Sequence, residues 1–182
     1  AQLYMAAMHQ QIALSRQQMP VLQIAGQSAA RRTINGGYIW VGGSQPDFTS
    51  EAIGRAGGLM GLKPLDLSLV FRKDVVLYAA RGALSSSDLA NIARCKRAGA
   101  YVIAFASASG SLRTPQGPDL LIDSGSLSGL PTGHGICPLD TVTNLMNLWV
   151  FTGEYVAACT RFGKTPVLYR SYGLEGARER DA

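Results

Sequence analysis

The stretch DVVLYAARGALSSSDLANIARCKRAGAYVIAFAS, residues 74–107, decides the fold. Val75 to Ala80 is a short continuous apolar run that stops at Arg81-Gly82, the pattern of a strand covered on both faces. Ser86 to Ala98 then carries helical spacing behind a serine-rich start, and Tyr101 to Ala106 is a second apolar run. Strand, helix and strand in this order predict a parallel sheet with helices packed against it.

Working outward, "YIWV" (38–41) reads as another buried strand, ending in Gly42-Gly43-Ser44, and Leu120 to Asp123 as a further one. The helix after the first strand is expected from Asp47 to about Gly57, with Pro46 or Asp47 at its start. Residues 65–70 are a candidate short strand, and "PVLYR" (166–170) is expected to supply the last one. Upstream, Leu3, Ala7, Met8, Ile12 and Leu14 fall near helical spacing, and Pro20 opens a second helix running to about Ile34. Residues 139–162 read as one long helix with apolar residues nearly all round. Such a helix is buried in a core or a subunit interface, so an interface covering Trp149 or Phe151 is expected. Asp140 and Thr141, after Pro138, are expected to cap it. The expected architecture is α/β: a three-layer αβα sandwich with a doubly wound, mainly parallel five-stranded sheet behind two N-terminal helices, in one domain over 1–182.

Composition agrees with one globular domain: the 182 residues are 47% hydrophobic and 16% charged, enough to bury a core without disulfide or metal. Cys95, Cys137 and Cys159 are widely spaced, with no Cys/His cluster suited to zinc, and are expected as free thiols of a reducing cytoplasm. No apolar stretch reaches the roughly 20 residues a membrane span needs, and no signal-peptide pattern opens the chain. The net charge is +5, but the basic residues are scattered, with adjacent pairs at Arg31-Arg32 and Lys96-Arg97, so no nucleic-acid stripe is expected.

Open parallel sheets bind ligands beyond the carboxyl ends of their strands, which selects the turns at 42–45 and 81–87. The first lacks the GxGxxG spacing of a dinucleotide site. In the second, free N–H groups and the positive end of a helix suit an anion. Serine is equally a good N-cap, so both readings of Ser85, Ser86 and Ser87 stand.

The order of two helices, a strand ending in Gly-Gly-Ser, "EAIGRAGGL" (51–59), residues 74–107 and "PDLLIDSG" (118–125) resembles the SIS (sugar isomerase) domain family. It is most similar to bacterial members with Glu-x-x-x-Arg-Ala-Gly-Gly-Leu in the first helix and a tail like "PVLYRSYGLEG" (166–176). The resemblance implies a phosphorylated sugar or sugar derivative as ligand, no cofactor and no metal, and a homodimer or homotetramer. The family's phosphate loop, typically Ser-x-Ser-Gly-x-Ser/Thr, falls on residues 80–85. Only Ser85 matches; Ala80 and Gly82 stand where the pattern has serine. Arg81, Ser86 and Ser87 are candidate replacements. Gly43, Ser44 and Gln45 would face the sugar hydroxyls, which suits side chains that donate and accept. Glu51 corresponds to the family's carboxylate base for aldose–ketose isomerisation, with Arg55 placed to pair with it. His134, in the loop 129–141, is a candidate for ring opening or proton transfer, and Thr141 a secondary ligand contact. Two functions follow as expectations: a sugar phosphate isomerase, or a sensor that binds the phosphosugar without turning it over.

Overall fold

The computed structural model describes residues 2–108, 115–125, 138–171, 173–177 and 179. The two leading helices are α1 (Gln2–Gln17) and α2 (Met19–Ile34), and Pro20 sits in the first turn of α2, where its missing N–H costs nothing. The sheet strands are β1 (Ile39–Gly43), β2 (Leu62–Pro64), β3 (Val75–Ala83), β4 (Tyr101–Ser107) and β5 (Leu120–Asp123). They lie in the order β2-β1-β3-β4-β5, every pair parallel. The remaining helices are α3 (Pro46–Ala52), α4 (Ser86–Arg97) and α5 (Leu139–Arg161). This is the doubly wound α/β sandwich the sequence predicts.

Alternation along the central strands divides the core in two. Ile39, Val41, Val75, Leu77, Ile103 and Phe105 face a cluster built with α2, α3 and α5. Trp40, Val76, Tyr78, Val102 and Ala104 face the other, built with Ile92 and Cys95 of α4. Across the first layer α2 meets α5 at a stripe of small residues, Ala25, Gly26, Ala29 and Ala30, all buried. A methyl group on Gly26 would lie 2.7 Å from the backbone of Glu154, so the approach requires glycine.

Several elements differ from their sequence reading. The helix after β1 stops at Ala52 because Ile53 is extended and Gly54 and Gly57 take positive φ. Residues 65–70 are not a strand: Asp66 accepts from the Ser68 N–H and hydroxyl, and Leu69 N–H donates back to the Asp66 carbonyl, folding the segment into turns. The strand lies earlier, at β2. Residues 166–170 do not join the sheet; Leu168 makes an antiparallel bridge with Leu59, flanked by bonds between Gly57 and Tyr169 and between Met60 and Val167. β3 runs past Ala80 to Ala83, where Ala83 pairs with Ser107 after a register shift. Phe151 is fully buried against the sheet and Tyr155 nearly so, which removes Phe151 from any interface; Trp149 and Leu145 are partly covered. α5 begins without a side-chain cap, and Asp140 is spent elsewhere.

Cys95 and Cys159 are buried free thiols, while Cys137 lies outside the described residues. Among the described residues no helix is long and apolar enough to cross a membrane.

Candidate functional site

At the carboxyl end of β1 the chain turns sharply. Gly43 has φ +127°, and a Cβ there would lie 2.1 Å from the Ala79 carbonyl, so only glycine lets β1 turn this close to β3. The Gln45 N–H then donates to that carbonyl at 3.2 Å and turns its side chain into the interior, with no exposure at all. Ser44, next to it, is exposed.

Beyond β3, the Gly82 N–H donates to Asp140 Oδ2 at 3.0 Å, and Asp140 Oδ1 accepts from the Thr141 N–H at 2.8 Å. Asp140 therefore ties the turn after β3 to the start of α5 instead of capping the helix by its side chain, and Thr141 is largely buried beside it. Arg81 is exposed and pairs with the equally exposed Asp47 at 3.1 Å.

The serine run is anchored to an acid within the same helix. Ser85 is the N-cap of α4 and forms a reciprocal box with Asp88: its hydroxyl accepts from the Asp88 N–H, and the Asp88 carboxylate accepts from the Ser85 N–H. Asp88 also accepts from the Tyr78 hydroxyl at 2.9 Å. Burial of Asp88 favours the neutral acid, but hydrogen bonds from Ser85, Tyr78 and Ser44 outweigh it and hold the carboxyl below its ordinary value. An anion thus already sits in the first turn of α4. Ser86 and Ser87 are exposed, the Ser87 hydroxyl lying 2.9 Å from that of Ser85.

Glu51, near the end of α3, is fixed from two sides. Its Oε1 accepts from Trp149 Nε1 at 2.9 Å and pairs with Arg55, whose guanidinium stands 5.2 Å from the Trp149 ring centroid. The sequence spacing predicts the Arg55 partner. Trp149 comes from α5 and is not readable from local sequence.

Between these elements lies a buried polar cluster of which the sequence reading named only Gln45. Asn144 Nδ2 donates to Gln45 Oε1 at 2.8 Å and approaches the carbonyls of Ala80 at 3.1 Å and Phe105 at 3.3 Å, spanning three strand ends. Thr143 donates to the Leu139 carbonyl at 2.7 Å and to Gln11 Oε1 of α1 at 3.3 Å. Gln45, Thr143, Asn144 and Asn147 have no exposed surface. Yet Gln45 Nε2, Asn144 Oδ1, both amide atoms of Asn147, and the hydroxyls of Ser15 and Ser124 have no hydrogen-bond partner among the described residues. Unsatisfied buried groups are uncommon in folded proteins, and each calls for an explanation. The available signal was the row Asp140, Thr143, Asn144 and Asn147, a polar stripe at helical spacing in an otherwise apolar helix.

Of the candidates, the fold gathers Gly43, Gln45 and Thr141 around the Asn144 cluster at the strand ends, with Arg81 on the turn tied to Asp140. Ser44, Ser85, Ser86 and Ser87 gather around Asp88 at the start of α4. Glu51 is held apart by Trp149 and Arg55. His134 lies outside the described residues. No group of His, Cys, Asp and Glu suited to a metal occurs among the described residues.

No family model and no curated protein matches the sequence. Solved structures do match. A phosphoheptose isomerase from Francisella tularensis superposes with a TM-score of 0.61 at 13% identity, covering 84% of this chain and 94% of that one. An Escherichia coli CFT073 protein solved in complex with a ligand gives 0.54 at 16% identity, covering 90% of each chain. The phosphoheptose isomerase of Neisseria gonorrhoeae gives 0.52 at 13% identity, covering 85% of this chain and 96% of that one. These likenesses extend over more than four-fifths of the chain, and they show that it has the SIS fold.

Proposed function

We propose that the chain binds a phosphorylated sugar or sugar derivative at the carboxyl end of its sheet. One observation carries this: the buried amides of Gln45 and Asn144, bonded to each other at the strand ends, and of Asn147 one turn further along α5, are left with unpaired donors and acceptors. Sugar hydroxyls both donate and accept, so a row of them complements an amide nitrogen on Gln45 and amide oxygens on Asn144 and Asn147. The likeness in fold to proteins described as phosphoheptose isomerases supports the same ligand class. The phosphate is assigned to Arg81. Its pair with Asp47 is solvent-exposed, so releasing it costs little. Ser85 is spent on Asp88, whose carboxylate would repel a phosphate placed on the α4 cap itself.

Binding without turnover is favoured over isomerisation. A carboxylate base must reach the carbon next to the carbonyl, and Glu51 is engaged by both Trp149 and Arg55. The test is a thermal-shift panel of hexose, heptose and amino-sugar phosphates, with the unphosphorylated sugars beside them. A ligand at 100 times its Kd stabilises by about 2.7 kcal/mol. Phosphosugars are expected to shift the wild type and not Asn147→Leu. A panel in which no phosphosugar moves the midpoint refutes the proposal. For a ligand that binds, proton exchange in heavy water at the carbon next to the carbonyl separates the two functions, and none is expected.

A further inference from the structure

At the opposite end of the sheet, where the strands begin, the fold collects charge that is scattered in the sequence. Arg31 and Arg32 close α2, and Arg72-Lys73 is another adjacent pair just before β3. With Asn35 and Gly99 these four cations line a groove of about 490 Å³. None of the four pairs with a carboxylate among the described residues. Asp74, next in sequence, is turned inward, and its two oxygens accept from Tyr38 N–H, Trp40 Nε1 and Phe71 N–H.

The cations are positioned without being neutralised. Arg32 Nη1 donates to the Arg72 carbonyl at 3.0 Å while its guanidinium stands 5.1 Å from the Tyr101 ring centroid. Lys73 Nζ donates to the Asn35 carbonyl at 3.1 Å, and the Asn35 amide donates to the Arg31 carbonyl at 2.7 Å. The Arg31 guanidinium lies 5.9 Å from the Phe162 ring centroid. Carbonyls and ring faces fix a guanidinium while leaving its charge, so these donors are preorganised for an anion.

Helix ends account for only part of the charge. The carboxyl ends of α2 and α4 each present about half a negative charge, together roughly −1 against four cations. Asp74 behind the groove offsets one further cation, and Lys164, whose Nζ donates to the Ile34 carbonyl at 3.5 Å at the end of α2, supplies one more, so the remaining charge of about +3 exceeds the −1.5 to −2 of a single phosphate group. The groove also falls within the roughly 300–1,000 Å³ usual for small-molecule sites. We propose that it binds a polyphosphate chain, either free or carried by a nucleotide. Arginine forks read phosphate oxygens in pairs, and three of the four cations are arginines. The site is independent of the proposed sugar site, being at the other end of the strands.

The experiment is calorimetric titration of the full chain at low salt with inorganic tripolyphosphate, ATP and a single-stranded oligonucleotide. Both polyphosphates are expected to bind, with affinity falling as salt rises. The double variant Arg31→Ala/Lys73→Ala should weaken binding by at least about 100-fold, about tenfold for each charge-assisted contact. The sugar-site variant Asn147→Leu should bind as the wild type does, which separates failure here from failure of the sugar proposal. Arg72→Lys, which keeps the charge and the backbone carbonyl but loses the fork, should weaken binding by less than the double variant does, and a melting midpoint of the double variant within a few degrees of the wild type guards against misfolding. Binding of ATP without tripolyphosphate, abolished in the double variant, identifies a nucleotide as the carrier. Absence of heat with both polyphosphates, equal binding by the double variant, or binding of the oligonucleotide alone overturns the proposal.

Discussion

Replacing Asn147 by leucine should make the protein more stable and remove its response to ligand. Asn147 has no exposed surface, and neither amide atom has a partner among the described residues. Each unsatisfied buried polar group costs about 1–3 kcal/mol, and leucine repeats the branched outline of asparagine without either group. Its larger methyls take some of this back through overpacking, about 1–3 kcal/mol. The net expectation is a gain of about 2 kcal/mol. For a domain of this size that is a rise of about 4–8 °C in Tm. Asn144→Leu, one turn earlier on the same helix, should move the other way. It removes an amide whose two N–H groups serve Gln45, Ala80 and Phe105, about 1 kcal/mol for each N–H, and overpacks by about the same 1–3 kcal/mol, against one relieved oxygen at about 1–3 kcal/mol, for a net loss of about 2 kcal/mol. Scanning calorimetry of both variants, with and without the best phosphosugar, reads the two signs directly. If Asn147→Leu destabilises as much as Asn144→Leu, the Asn147 amide has partners in the ligand-free protein, and unpaired groups no longer mark the site.

Ser85→Ala should lower stability by about 1 kcal/mol through loss of the N-cap, a fall of about 2–4 °C, while the phosphosugar-induced shift stays at its wild-type size. A lost shift would return the phosphate to the α4 cap. Glu51→Gln keeps an acceptor for Trp149 and loses the Arg55 pair, which is half exposed on the arginine side, so stability should change by less than about 1 kcal/mol. Wild type and Glu51→Gln should both leave the sugar proton unexchanged; exchange by the wild type that vanishes in the variant would make the protein an isomerase. Alkaline unfolding should track two tyrosines. Burial raises Tyr78 and Tyr155 to about 12, so the native state keeps protons that the unfolded chain loses above about pH 10. Their contribution is complete below about pH 10 and disappears as pH rises through about 12, and Tyr155→Phe should flatten that limb of the stability curve.

The sheet was legible because its central strands are continuous apolar runs, a pattern that only a doubly covered parallel sheet imposes. The errors came where local pattern imitates structure. Leu65, Leu67 and Leu69 alternate like a strand, yet Leu65 and Leu67 pack beneath the sheet from a turn held by Asp66, and Leu69 points outward. In α5 the count of apolar residues concealed the polar stripe at 140, 143, 144 and 147, because a sequence shows composition but not which face meets the strand ends. Gln45 was legible as a turn residue; its burial was not, since that depends on how closely Gly43 lets β1 approach β3. The serine run reads as either cap or anion site from sequence alone, and the bonds between Ser85 and Asp88 form a cap. The pairing of Trp149 with Glu51 joins distant segments that no local pattern relates.

The close crossing of α2 and α5 at Gly26 bears on how the protein comes off the ribosome. Helix α2 precedes every strand of the sheet, but the partner for its alanine and glycine stripe is encoded after all of them. Until α5 emerges, one whole face of β1, β3 and β4 lacks its principal cover. The growing chain therefore carries exposed strands that cannot close, a state prone to association and suited to chaperone capture. Stable folding should be all-or-none, triggered when α5 clears the ribosome and packs across the small-residue stripe of α2 at Gly26. Synthesis arrested just before Leu139 should leave a nascent chain that proteases degrade along its length, whereas a chain arrested behind a linker long enough to hold α5 outside the ribosomal tunnel should resist them.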